Sequence, residues 1–280
     1  MNSLKTVFFL GLLTGLFLFI GNLAGGKSGM FIALIIAGIM NFISYWFSDK
    51  IVLKMYGARE LDEASAPEIH RIVERLSQKA GIKKPKLYIL DSDSPNAFAT
   101  GRNPEHSAIA LSKGIIELMN LDELEGVIGH EMTHIINRDT LISTIAATIA
   151  GAIMYLAYMM RWFAFLGGGD DDEGGGLLGV LLISILAPFA AMLIQMAISR
   201  SREYKADSGS AELTKKPDAL ASALEKLTVY TRKVPMKNVS ANTSHMFIVN
   251  PLSAKGLMNL FSTHPPVEER IKRLREYKFR

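Results

Sequence analysis

GVIGHEMTHIINRD, residues 126–139, decides how this chain is read, and HEMTH within it carries the chemistry. On a helix, His130 and His134 stand four residues apart and project from one face, so two neutral imidazoles can hold one zinc ion. Glu131 starts on the adjacent flank, within reach of a metal-bound water. Zinc lowers the pKa of that water towards neutrality, and a carboxylate beside it can take the proton as attack on a carbonyl begins. The flanks agree with a helix. Asn120 followed by Glu123 is a capping-box arrangement, and Leu124, Val127, Ile128, Met132, Ile135 and Ile136 supply an apolar surface to bury. A helix with two unmetallated histidines is the bland alternative.

The 280-residue chain has a formal net charge of +4, 49% hydrophobic residues and no cysteine. Its mean hydropathy of +0.21 is high for a soluble domain and points to membrane spans. Without cysteine there is neither a disulfide nor a thiolate zinc site, which leaves histidine and carboxylate as ligands. The mild basic excess calls for no nucleic-acid partner; scattered Lys and Arg beside anionic lipid account for it. Four apolar runs, 6–23, 30–47, 141–166 and 177–198, approach or exceed the about 20 residues that a bilayer requires. Lys50, Lys54 and Arg59 follow the second run, and Arg200, Arg202 and Lys205 follow the fourth. The connection between the third and fourth, GGGDDDEGGG, is acidic. The positive-inside rule therefore puts both termini and the main polar regions in the cytoplasm.

The expected fold class is a mainly α membrane protein with four transmembrane helices and a small α+β cytoplasmic zincin-like domain. Its parts are an N-terminal transmembrane hairpin (1–49), a cytoplasmic α+β segment with the HExxH helix (50–140), a second transmembrane hairpin (141–198) and a cytoplasmic helical segment (199–280). Asn41, polar inside the second run, is expected to bond to a neighbouring helix. Ser65 and Glu68 resemble a second capping box ahead of a helix with Ile69, Ile72, Val73, Leu76 and Ala80 as its stripe, ended by Gly81. His70 lies off that stripe and reads as an exposed surface histidine. Residues 85–90, 97–100 and 108–111 read as strands of a small antiparallel sheet. SPNAFATG, residues 94–101, is either an ordinary edge strand or one that receives an extended peptide through its backbone.

The helix of HEMTH is expected to continue to the third run, which would put His134 about 10 Å from the bilayer boundary along its axis. After the fourth run comes EYKAD, in which Glu203 and Asp207 share a helical face. An even number of crossings returns this segment to the side of HEMTH. Glu203 can complete a zinc site, and Asp207 can accept the free ring N–H of a ligand histidine. The same residues can equally form a charged juxtamembrane face pairing with Arg200, Arg202 and Lys205. His264, in STHPP, is either an ordinary loop histidine or a donor to the oxyanion formed when water attacks an amide. His106 and His245 are assigned no role.

With HEMTH, EYKAD, PNAFATG (95–101), THPP and Arg270 in hand, the chain resembles the HtpX-type membrane zinc metalloproteases, relatives of the CAAX prenyl proteases. The resemblance runs nearly full length and includes the order of spans and motifs. It implies that His130, His134 and Glu203 bind one zinc ion, Glu131 is the general base, and Asp207 supports a ligand histidine. It further implies that His264 assists the oxyanion, Arg270 braces that segment, and Asn96, Ala97, Phe98 and Ala99 receive substrate. The implied activity is cleavage of misfolded or damaged membrane proteins, or of unfolded polypeptides, at the cytoplasmic face of a bacterial plasma membrane. Two other classes compete. A transporter would carry ionisable residues within its spans, which are nearly free of them here. A non-hydrolytic chaperone or scaffold would close the metal site with a fourth protein ligand.

Overall fold

The computed structural model describes residues 2–143, 145, 200–233 and 265–279. The chain opens with α1 (Asn2–Met55), which doubles back at Gly25 and Gly26. Gly26 has φ 55° and ψ −138°, a conformation that only glycine adopts without strain. The two arms close tightly beside that bend, where a side-chain carbon on Gly21 or Gly29 would strike the opposite backbone. Further along, Asn41 Nδ2 donates to Thr14 Oγ1 at 2.9 Å and to the Leu10 carbonyl at 3.3 Å, the interhelical bond expected of it. Leu13 and Ala37 are buried, while Phe19, Phe31 and Phe42 face outward. Among the described residues, Gly25–Phe47 is long and apolar enough to cross a membrane, judged by length and composition; the apolar stretch Leu10–Phe19 of the first arm is shorter. Apart from 141–143 and 145, the runs 141–166 and 177–198 fall outside the described residues, as do His245 and His264.

Beyond α1 come β1 (Arg59–Glu60), α2 (Pro67–Ala80), β2 (Lys86–Leu90), β3 (Ala97–Asn103), β4 (His106–Ser112), α3 (Lys113–Leu118) and α4 (Leu121–Ile136). The later described helices are α5 (Arg200–Thr214), α6 (Pro217–Lys233) and α7 (Val267–Arg275). The sheet order is β1-β2-β4-β3. It is mixed rather than antiparallel as the sequence suggested, because β2 runs parallel to β4 while β3 and β4 form a hairpin. The chain leaves β2, skips the neighbouring position to form β3, and turns back to lay β4 between the two, so β3 becomes an outer strand of the sheet.

One face of the sheet, with Leu90, Phe98, Ala108 and Ala110, packs on Val52 and Leu53 of α1. The other, with Leu87, Ala97, Ala99, Ile109 and Leu111, packs on Val73 and Leu76 of α2 and on Leu124, Ile128 and Met132 of α4. Alternation of side chains along each strand produces the two faces. Leu220, Ala223, Leu224 and Leu227 of α6, spaced to share one helical face, extend the second layer.

Three local expectations change. Ala66, not Ser65, occupies the N-cap of α2 and no side chain caps it, because Pro67 fixes the helix start one residue later than the Ser65–Glu68 pattern requires. His70 is buried, its Nε2 2.9 Å from the Leu61 carbonyl, so a partner nine residues upstream draws it inward. Ile136, at the end of the α4 stripe, is exposed, since the helix stops there.

Candidate metal centre

The capping box at Asn120 forms as the sequence indicated: Asn120 Oδ1 accepts from the Glu123 N–H at 2.9 Å, and Glu123 Oε2 accepts from the Asn120 N–H at 3.0 Å. It starts α4 with Leu121, which puts His130 and His134 on one side of the helix, rings crossing at 90° with centroids 4.8 Å apart. α5 runs in the opposite sense alongside. Ser210 Oγ donates to the Gly126 carbonyl at 2.7 Å, and a Cβ at Gly129 would come within 2.8 Å of that same oxygen. Gly209 lies so close to Thr133 that a Cβ there would overlap its side chain. This close crossing, with small residues on both helices, brings Glu203, two turns earlier on α5, against both histidines.

His130 Nε2 and His134 Nε2 lie 3.2 Å apart, and Glu203 presents Oε2 3.6 Å from the first and Oε1 3.7 Å from the second. Ligands about 2.0–2.1 Å from a tetrahedral zinc are separated by about 3.3–3.4 Å, so this donor set fits that ion. The three ligands expected from the sequence are therefore together.

The support around them is charged. His130 Nδ1 lies 3.0 Å from Asp207 Oδ1, and Arg270 grips Asp207 with two bonds, Nε to Oδ2 at 2.9 Å and Nη2 to Oδ1 at 2.7 Å. Arg270, 1% exposed, also reaches within 3.9 Å of Glu203. Burial works to raise the Asp207 carboxyl, but the Arg270 charge and hydrogen bonds outweigh it and hold the group down at about 2. For His130, burial works downward, yet its contacts with Asp207 and Glu203 lift it to about 9 in the metal-free site. Arg270 itself is pushed further up: burial opposes its charge, and Asp207 more than offsets that.

Glu131 is buried on the flank facing the sheet, and its Oε2 accepts from the Ala99 N–H at 2.7 Å. Burial pushes this carboxyl above its ordinary value, and the pull of His130 and His134 only partly offsets that. The expected substrate stretch divides into two kinds of residue. Ser112 N–H donates to the Asn96 carbonyl at 2.9 Å, and Asn96 N–H donates to Ser112 Oγ at 2.8 Å, so Asn96 is tied inward to β4. Alternation gives Phe98 the same inward backbone, leaving Ala97 and Ala99 to present theirs at the outer edge.

Asp139 belongs to the site and the sequence reading passed over it. Its Oδ2 lies 3.4 Å from His134 Nδ1, and Arg202 Nη1 stands 3.8 Å from its other oxygen. Burial lowers Arg202 from its usual value against the attraction of Asp139 and Glu203. α4 does not run on towards the third apolar run, as had been expected. It ends at Ile136, Arg138 turns the chain at φ 57°, and a helix restarts at Asp139. The bend brings Asp139 back under His134, and the axis used to gauge the height of His134 above the membrane ceases at that point.

Peptidase family M48 matches residues 63–278. A "Protease HtpX homolog" of Thermodesulfovibrio yellowstonii is 56% identical over 276 residues, covering 98% of each chain. A "Protease HtpX homolog" of Desulforapulum autotrophicum is 54% identical over 277 residues, covering 98% of this chain and 89% of the relative. One from Thermococcus kodakarensis is 54% identical over 275 residues, covering 98% and 95%. The crystal structure of S. mikatae Ste24p matches with a TM-score of 0.52 at 20% identity, across 98% of this chain and 65% of that longer one, a likeness of fold.

Proposed function

Because this chain belongs to peptidase family M48 and is a metalloprotease of the membrane-associated HtpX type, we propose that it is a zinc-dependent endopeptidase that removes misfolded or damaged membrane proteins. The observation that carries this reading is the meeting of His130, His134 and Glu203 with a carboxylate, Glu131, bonded to an outer strand of the sheet. One zinc ion per chain, held by those three side chains, would lower the pKa of water and polarise a peptide carbonyl.

The protein groups supply the rest. Glu131, raised by burial, takes the proton from the attacking water and passes it to the leaving amine. Asp207 fixes the ring of His130, and Arg270 keeps Asp207 ionised. The backbone of Ala97 and Ala99 receives an extended substrate, with Ala99 N–H passing from Glu131 to the peptide. His264, which lies outside the described residues, is proposed to donate to the oxyanion as the family resemblance implies. A structural metal would call for a fourth protein ligand, and among the described residues the cluster comprises His130, His134 and Glu203.

The remainder of the proposal is topological: four spans in two hairpins, with both termini and the site on the cytoplasmic side of a bacterial plasma membrane. The apolar arm Gly25–Phe47 supports the first hairpin. The decisive experiment is purification in detergent and assay on an unfolded protein substrate, with zinc added and removed. Zinc-dependent cleavage is expected, with Glu131→Gln retaining zinc and losing at least about 100-fold in rate. Full activity of a clean Glu131→Gln preparation would overturn the mechanism.

A further inference from the structure

The outer strand β3 lies alongside α1, and two ring contacts give its direction. The Phe98 ring packs on Tyr56 with centroids 5.1 Å apart, and the Arg102 guanidinium stacks over the Trp46 ring at 4.8 Å. Trp46 and Tyr56 are separated by about 15 Å along the helix at 1.5 Å per residue. Phe98 and Arg102 are separated by about 13 Å of strand at about 3.3 Å per residue. The two rises agree, so β3 runs beside the helix and back along it towards the apolar arm.

Trp46 stands at the end of Gly25–Phe47, the position where an indole anchors at a membrane interface. A second element marks the same level. Thr140, just ahead of the third apolar run, donates its Oγ1 proton to the Gly101 carbonyl at 3.0 Å. The membrane end of β3 is therefore at Gly101 and Arg102, tied there from two sides. Ala99, whose N–H meets the catalytic carboxylate, lies about 10 Å further out, three residues up the strand.

We propose that this alignment works as a depth gauge. A polypeptide laid along β3 runs outward from the bilayer, and its scissile bond is fixed about three residues beyond the end of its own membrane span. The substrate class is a membrane-anchored polypeptide with an extended, unstructured juxtamembrane segment. About three further residues beyond the cut would have to lie along Ala97 and the segment before it for the strand to be held. The proposal rests on the peptidase reading above.

The test reconstitutes the full-length wild-type protein with zinc in lipid vesicles beside single-span substrates. Their tails are one uniform, uncharged repeat of increasing length, so local sequence is the same everywhere, and products are mapped by mass spectrometry. The expected result is no cleavage of tails shorter than about six residues, and a nearest cut about three residues from the span in every longer tail. Nearest cuts within one residue of the span, or a nearest cut whose distance from the span changes with tail length, would overturn the depth gauge. A soluble unfolded protein serves as control. Its cleavage alongside position-independent cuts refutes the gauge alone, whereas failure to cleave any substrate refutes the peptidase reading and the gauge with it.

Discussion

Replacing Arg270 with methionine is the sharpest test of how the site is held together. The guanidinium is 1% exposed and makes two bonds of 2.7 and 2.9 Å to Asp207, itself 4% exposed. With charge centres about 4 Å apart and an effective dielectric constant near 20, the attraction is about 4 kcal/mol. Methionine fills much of the volume but leaves Asp207 without its guanidinium, facing the His130 ring as its remaining charged neighbour, or forces it to take a proton. Breaking a buried pair on one side costs about 3–5 kcal/mol, a large part of the about 5–15 kcal/mol that holds a domain together. In a chain of this size the unfolding midpoint should fall by about 6–20 °C. Loss of Asp207 as a fixed acceptor for His130 should also weaken zinc about 10–100-fold. Thermal unfolding of detergent-purified, metal-free protein reads the first effect, and competition with a chelator reads the second. The double variant Asp207→Leu with Arg270→Met should recover most of the stability and none of the zinc affinity. A single variant that unfolds within about 1 kcal/mol of wild type, or a double variant as unstable as the sum of the singles, would refute the argument.

Other expectations follow from neighbouring contacts. Asp139→Ala should weaken zinc about tenfold by freeing the His134 ring, while Asp139→Asn, which keeps an acceptor, should lose less; chelator competition measures both. The Asp207 carboxyl drops from 3.8 to about 2 on folding, so it adds stability that is present above pH 4 and is lost as pH falls from about 4 to about 2. That contribution is about 2 kcal/mol, and Asp207→Asn should flatten acid unfolding in that window. His130 carries a proton below about 9 in the metal-free site, and zinc must displace it. Zinc affinity should therefore rise about tenfold per pH unit from neutrality towards 9, with about one proton released per zinc, detectable by calorimetry in buffers of different ionisation heat.

The helix of HEMTH was legible because its signals are local. A cap, an apolar stripe and a four-residue ligand spacing all sit within one stretch of chain. Glu203 and Asp207 were legible as a pair on one helical face, but their position against His130 depends on the Gly129–Ser210 and Gly209–Thr133 crossings, which no periodicity announces. Asp139 was not legible at all. On an unbroken helix, residues 134 and 139 point about 140° apart, and only the left-handed turn at Arg138 brings them together. The strands were found by their composition, yet the parallel partnership of β2 and β4 was not, since pairing is a property of the assembled sheet. His70 was misjudged for a related reason: the carbonyl of Leu61 that satisfies it becomes its neighbour only after α2 folds back over the strand connection.

The bare contact between α4 and α5 also sets how this protein tolerates mutation. A carbon added at Gly209 overlaps the Thr133 side chain, and one added at Gly129 crowds Ser210 Oγ and the Thr214 methyl, so in either case a side chain within the crossing has to shift. Catalytic groups function only when held within about 0.5 Å of their working geometry, and a lever this short passes such a displacement on to Glu203. Alanine is the customary harmless replacement. Here Gly129→Ala and Gly209→Ala would behave in an activity screen like the loss of a metal ligand, although neither glycine has an atom to offer the metal. Any map of function drawn from such a screen would mark two residues of pure spacing as if they were chemistry.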